Sequence, residues 1–192
     1  MGKLLCLMGK SSSGKDTIYK KIKEQRPNLI TVVPYTTRPI REGEQNGREY
    51  HFIDEEKMLQ LEKQGKIIES RCYETVHGPW YYMTVDDGQI NLQEGNYLYI
   101  GTIPVYESLK NYYCEESIVP IYIEVDDGIR LSRALERERG QKSPKYAEMC
   151  RRYLADEEDF SPDNLKKAGI DHFYKNEDLM VCVNEILANL EV

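Results

Sequence analysis

Nowhere in the sequence is there an apolar stretch long enough to cross a bilayer; the first run, Leu4–Met8, ends at a glycine-rich turn. The opening segment therefore reads as a buried strand, neither a span nor a signal sequence. Cys6 also stands where a myristoylation motif wants Ser or Thr. Positive charge is in deficit too: 26 Lys and Arg against 33 Asp and Glu leave a net −7. That excludes a generally basic nucleic-acid surface but allows a local cationic pocket. Closely spaced cysteines are missing. Cys6, Cys72, Cys114, Cys150 and Cys182 are scattered, which excludes a zinc knuckle or a redox pair and suggests free thiols in the cytoplasm. His51, His77 and His172 have neither metal spacing nor triad company, so they read as packing or surface residues. Repeats and low-complexity linkers are absent, and 192 residues suit one domain with inserted lobes.

What the chain does have is alternation of strands and helices. Leu4–Met8 has the continuous apolarity of a strand buried on both faces. A helix follows over Asp16–Gln25, stopped by Pro27, and then a strand over Leu29–Val33. From Pro34 to Asp87 the texture is turn-rich and full of tyrosine, with one helix over Glu55–Gln64. Strands are expected again at Tyr97–Ile100 and Ile118–Val125. Asp127 can cap a helix running through Arg139 and ended by Gly140. A second charged helix over Lys145–Asp159, a short strand at His172–Tyr174 and a helix over Leu179–Leu190 complete the pattern. This predicts an α/β fold: a three-layer P-loop NTPase core with a mostly parallel sheet, an inserted mixed α/β acceptor-binding lobe and a helical lid. The core takes residues 1–33, 88–134 and 160–192, the lobe 34–87 and the lid 135–159.

The segment GKSSSGKDT, Gly9–Thr17, has the Walker A glycines and lysine between a strand and a helix. Small residues at Gly9, Ser11, Ser12, Ser13 and Gly14 let backbone N–H groups turn inward around the phosphates of ATP. Lys15 would bridge the β- and γ-phosphates. Asp16 stands where Ser or Thr usually helps hold Mg²⁺, with Thr17 next. The ion is then expected mainly on the ATP phosphates, with Asp16 or Thr17 as the candidate protein ligand. A plain glycine-serine turn is the alternative, and it does not account for strand, loop and helix falling in sequence.

The segment TTRPIREGEQNGREYHFI, Thr36–Ile53, places Arg38 and Arg41 near Glu44 and Tyr50. Two guanidinium forks and a phenol suit a phosphate dianion, whereas a solvated turn has no use for that combination. These residues resemble the signature of the guanylate kinase family at Thr36, Thr37, Arg38, Arg41, Glu44, Gly47, Tyr50 and Phe52. The resemblance implies ATP-dependent phosphorylation of GMP, and of dGMP, by direct in-line transfer with Mg²⁺. It also implies a cytoplasmic monomer or homodimer of purine nucleotide metabolism whose partners are nucleotides, not nucleic acid or membrane. Residue by residue, it puts Arg38, Arg41, Tyr50 and Tyr82 on the GMP phosphate, beside Glu44. Glu69 accepts from guanine N1–H and the 2-amino group, and Thr84 reads the O6 edge. Three departures motivate another nucleoside monophosphate or a phosphorylated small molecule as alternative acceptor. Met83 fills a glycine position, Pro34 a frequent serine, and Tyr99 and Gly101 replace an Asp-x-Asp. A noncatalytic guanylate-kinase-like binding module is the third reading, disfavoured by the intact Lys15.

Arg130, Arg133, Arg137 and Arg139 precede a break at Ser143 and Pro144, and Arg151 and Arg152 follow it. Cations on a flap can close around the moving phosphoryl group and exclude water. The resemblance puts Arg137 or Arg139 near the ATP adenine and phosphates, Arg152 or Arg151 on the transferring phosphate, and Asn176 near the adenine. Lys15, Arg41, Arg137 and Arg152 are thus the expected catalytic residues. Local pairing with Glu136, Glu138, Glu157 and Glu158 on a solvated helix is the alternative for any one arginine.

Overall fold

The computed structural model describes residues 2–41, 43–75 and 78–190. Strand β1 (Leu4–Met8) is buried at every residue because it runs between two parallel neighbours. On one side Leu4 pairs with Tyr97 of β7 (Tyr97–Ile100), and on the other with Ile118 of β8 (Ile118–Glu124). With β2 (Ile30–Thr31) and β9 (Phe173–Lys175) at the edges, the order β2-β7-β1-β8-β9 gives a fully parallel five-stranded sheet.

Alternate residues of β1 feed two cores, which is why both faces must be apolar. Leu5 and Leu7 pack under α1 (Lys15–Gln25) and α7 (Leu179–Asn189) through Ile18, Ile22 and Val183. Leu4, Cys6 and Met8 meet the opposite layer, including α3 (Ile103–Tyr112) and α6 (Pro162–Lys167). The result is the expected three-layered α/β core. Among the described residues, no helix is long and apolar enough to cross a membrane.

A second sheet, ordered β4-β3-β6-β5, is built from residues 35–85. Strands β3 (Tyr35–Thr36) and β4 (His51–Phe52) are short, whereas β5 (Ile67–Thr75) and β6 (Gly78–Val85) form a long antiparallel pair. Its faces differ. Glu69, Arg71 and Tyr73 stand opposite Thr84, Tyr82 and Trp80 on one face. On the other, Met83 and Val85 bury against Leu61 of α2 (Glu55–Lys63). Met83 is fully buried in this small core, so it faces away from the Tyr82–Thr84 side and does not narrow an acceptor pocket there.

Several boundaries move. The pairing of β2 is confined to Ile30–Thr31, because this edge strand has a neighbour only in β7. Helix α4 (Asp127–Arg139) is capped by Asp126, whose carboxylate accepts from Ile129 N at 3.1 Å, which frees Asp127 to pair with Arg130. Gly140 ends α4 in a right-handed conformation, φ −75°, not the left-handed one that favours glycine. Helix α5 (Tyr146–Asp159) starts one residue late, because Lys145 N donates to the Glu138 carboxylate. Helices α3 and α6 had no counterpart in the sequence pattern, and both begin with a proline in the first turn, where its missing N–H costs nothing. His51 packs on Tyr35 and His172 on Tyr174; His77 lies outside the described residues.

Candidate functional site

The glycine-rich loop leaves the C-terminal end of β1 and feeds directly into α1. Gly14 sits at the N-cap in the left-handed region, φ 87°, and a Cβ there would lie 2.5 Å from Asn176 Nδ2. Glycine is therefore required both by conformation and by space. Asn176 is buried and donates to Ser13 O at 2.7 Å, so it clamps the loop's backbone. The Ser12 and Ser13 hydroxyls are buried without a hydrogen-bond partner. Such orphaned groups at the N-terminus of a helix suit an anionic ligand. Among the described residues Lys15 Nζ donates only to Lys10 O, at 3.5 Å, and burial pulls its pKa below the ordinary lysine value.

Ser12, Gly14, Lys15, Asp16 and Thr17 line a cavity of about 210 Å³ together with Arg133 and Arg137 of α4. Asp16 and Thr17 are exposed at this first turn. Among the described residues no cluster of three or more His, Cys, Asp or Glu could hold a metal. A magnesium ion would thus fit here on phosphate oxygens, with Asp16 or Thr17 as its protein neighbour.

The arginines of α4 and α5 divide by environment. Arg130 is 1% exposed and donates to Ser11 O at 3.2 Å and to Glu157 at 2.9 Å, pinning α4 to the loop. It is a fixed strut, not a flap residue. Glu157 in turn pairs with Lys10 at 2.7 Å, and Asp156 accepts from Ser11 N at 2.8 Å. Arg152 reaches Ser11 Oγ at 3.3 Å, whereas Arg151 pairs with Glu148 of its own helix at 2.7 Å. Arg139 is exposed at the end of α4. The structure thus brings Arg133, Arg137 and Arg152 to the loop, and Arg133 was not among the expected site residues. Its place one turn before Arg137 on the same helix face was the available signal.

In the lobe, Thr36 Oγ1 donates to Tyr81 O at 2.8 Å, and Tyr81 N donates to Thr37 Oγ1 at 2.9 Å, fastening the two-arginine segment to β6. Arg38 is buried, with its guanidinium 5.1 Å from the Tyr50 ring and 5.2 Å from Phe52. Its fork donates to both oxygens of Glu44, at 2.8 and 2.6 Å. Glu44 also accepts from Arg41 N at 2.8 Å. With Arg38 as the main cause, the Glu44 pKa falls to about 2. Both of its oxygens are committed, so Glu44 acts here by holding Arg38, while the Arg41 side chain stays exposed. The Tyr50 and Tyr82 rings meet edge-on at 5.6 Å.

Glu69 closes the far end of the wall. Its Oε1 accepts from Thr84 Oγ1 at 2.8 Å and its Oε2 from Arg71 Nε at 3.1 Å. Thr84 lies 2.8 Å from the hydroxyl of Tyr99, a β7 residue, and Arg71 Nη1 lies 3.4 Å from Thr102 Oγ1. Gly101, the other neutral replacement, packs so closely that a Cβ would sit 3.0 Å from Cys6 Sγ. Sequence reasoning did not single out Arg71; its position two residues after Glu69 in a strand, hence on the same face, was the signal.

The model of the guanylate kinase family matches residues 1–85. Among curated proteins, the guanylate kinase of Oleidesulfovibrio alaskensis is 37% identical over 94 residues, covering 49% of this chain and 44% of that protein. That of Wolbachia pipientis wMel is 44% identical over 78 residues, covering 40% and 39%. The aligned parts thus span less than half of these relatives' length. In three dimensions the chain is similar to the crystal structure of guanylate kinase from Anaplasma phagocytophilum, with TM-score 0.63, 24% identity, and 96% of this chain and 82% of that one covered. That likeness establishes the fold. Residues 1–85, the part that matches the guanylate kinase family model, carry the glycine-rich loop, the two-arginine segment and the pair Glu69 and Thr84.

Proposed function

We propose that this protein transfers the γ-phosphoryl group of ATP to GMP, and to dGMP, by direct in-line displacement. One observation carries the reading: the Glu69 end of the wall formed with Arg38, Tyr50 and Tyr82 lies against the end of β7, the neighbour of β1, from which the loop around Lys15 departs. Contact between Thr84 and Tyr99, and between Arg71 and Thr102, fixes that juxtaposition. Two phosphorylated ligands can then lie face to face, which turns a bimolecular step into an oriented one.

In this reading the loop's amides and Lys15 hold the donor phosphates, while Arg133, Arg137 and Arg152 approach the group in flight. Residues 34–87 act as the acceptor lobe and 135–159 as the lid. Arg38, preset by Glu44, and Arg41 receive the acceptor phosphate with Tyr50 and Tyr82. That phosphate is already an anionic nucleophile, so no general base is required. Glu69 accepts from the guanine N1–H and 2-amino donors, and adenine cannot make that pair. Contacts to base and phosphate leave the ribose 2′-hydroxyl unread, which admits dGMP. Mg²⁺, when bound near Asp16 or Thr17, would supply charge neutralisation to the donor phosphates.

The neutral Tyr99 and Gly101 favour, as second reading, the same transfer to a different phosphorylated acceptor. An ADP-release assay across GMP, dGMP, AMP, UMP and CMP separates the two. GMP and dGMP should exceed the others in kcat/KM by about 100-fold or more. Preference for a pyrimidine monophosphate, or turnover of none of the five, overturns the proposed acceptor.

A further inference from the structure

Proton bookkeeping at the base end of the wall leaves one expected role unfilled. A carboxylate only accepts, so the single hydroxyl proton of Thr84 goes to Glu69 Oε1. Tyr99 must then donate to Thr84, which fixes the direction of their 2.8 Å contact. Thr84 is fully buried and its proton is spent, so it has nothing to offer a carbonyl oxygen on an acceptor base. The chain Tyr99→Thr84→Glu69 instead orients the carboxylate from below.

Uncommitted donors directly beside Glu69 are supplied by Arg71, its hydrogen-bonded neighbour on the same strand face. Its guanidinium carries five N–H groups, of which Nε goes to Glu69 and one on Nη1 points toward Thr102. Its side chain is 24% exposed, against 5% for Glu69, so it stays accessible beside a buried carboxylate. It stands directly opposite Tyr82 in the register, on the face that carries the aromatic wall. Burial works against its charge, and the Glu69 carboxylate beside it more than offsets this.

We propose that Arg71 is a specificity-determining residue that donates to the carbonyl O6 of the acceptor guanine while Glu69 accepts from N1–H and the 2-amino group. A guanidinium fixed beside a carboxylate presents donors and acceptors in the order that a guanine edge requires, and Arg is the commonest partner of O6 in base recognition. The pair takes over at one position what two strand-end carboxylates and a free hydroxyl would otherwise share. This rests on the GMP assignment above.

The test is a double cycle of kcat/KM with GMP and 6-thio-GMP, which keeps N1–H and the 2-amino group but has a weakly accepting sulfur for O6. Wild type should lose about 30-fold on passing from GMP to 6-thio-GMP. Arg71→Met should lose about 30-fold on GMP and no more than about threefold on 6-thio-GMP. Arg71→Lys, which keeps a cation beside Glu69 and guards against misfolding, should fall between wild type and Arg71→Met on GMP and match wild type on 6-thio-GMP. Equal losses on both acceptors in either variant would show that Arg71 only supports Glu69, and the inference would fall. Wild type inert on GMP is a different outcome: it overturns the acceptor assignment itself.

Discussion

At the glycine-rich loop the chemistry lies in the backbone, whereas at the far end of the cleft it lies in four side chains from three strands. The loop needs small residues, a left-handed Gly14 and a helix start, all within one short segment. The far end joins Glu69 and Arg71 from β5, Thr84 from β6 and Tyr99 from β7 through hydrogen bonds that depend on one another's direction. A site of the first kind tolerates drift in everything around it. In the second kind, a neutral replacement such as Tyr99 obliges its neighbours to exchange roles.

The loop end should break hardest. Lys15→Ala is expected to lower kcat by about 10³-fold, on the order of 4 kcal/mol of barrier. Stability should hardly change, because among the described residues Lys15 Nζ forms no ion pair, its contact with Lys10 O is a long 3.5 Å, and burial disfavours its charge more than Asp16 and Asp156 favour it. Circular dichroism melts alongside ADP-release rates check both halves. Turnover within about tenfold of wild type would mean that the loop does not hold the transferring phosphate.

The two faces of the β5–β6 hairpin sharpen the same contrast. Met83 is fully buried with Leu61 and Val85 on the face turned away from Tyr82 and Thr84. Met83→Ala should therefore cost about 2–4 kcal/mol in denaturant unfolding, since so small a core cannot close over the void. The ratio of kcat/KM for GMP over AMP should stay within about threefold of wild type. A relaxed ratio at unchanged stability would return Met83 to the acceptor side.

This division also decides what could be read from sequence. The loop and the Arg38–Tyr50 segment are local, and their residue types follow from phosphate chemistry, so spacing alone assembled them. The core strands were legible for a similar reason: β1 and β8 sit centrally and must be apolar. Arg71 escaped, and Tyr99 was legible only as a missing carboxylate, because their meaning comes from partners on other strands; beside Glu69 in sequence, Arg71 is one more surface cation. Arg130 looked like a flap residue until burial and its bond to Ser11 O made it a strut. Helix α3 was hidden by Pro104, which looks like a breaker unless the helix is known to start there.

The smallest effect concerns how Arg38 is held ready. Glu44 titrates at about 2 in the folded protein against a reference value of 4.5, because the Arg38 fork and Arg41 N favour its charged form. A depressed carboxylate adds stability that is complete above the reference value and disappears as pH falls through the folded one. Glu44→Gln should thus lower stability at pH 6 by about 1 kcal/mol, the screened worth of a partly exposed pair. The wild-type and Glu44→Gln curves should converge between pH 4.5 and 2, as Glu44 takes up its proton. At pH 7 the variant should raise KM for GMP several-fold while kcat changes less, since a loosened Arg38 still reaches the phosphate once it is bound. Parallel stability curves that never converge would show that Glu44 is not the group holding Arg38 in place.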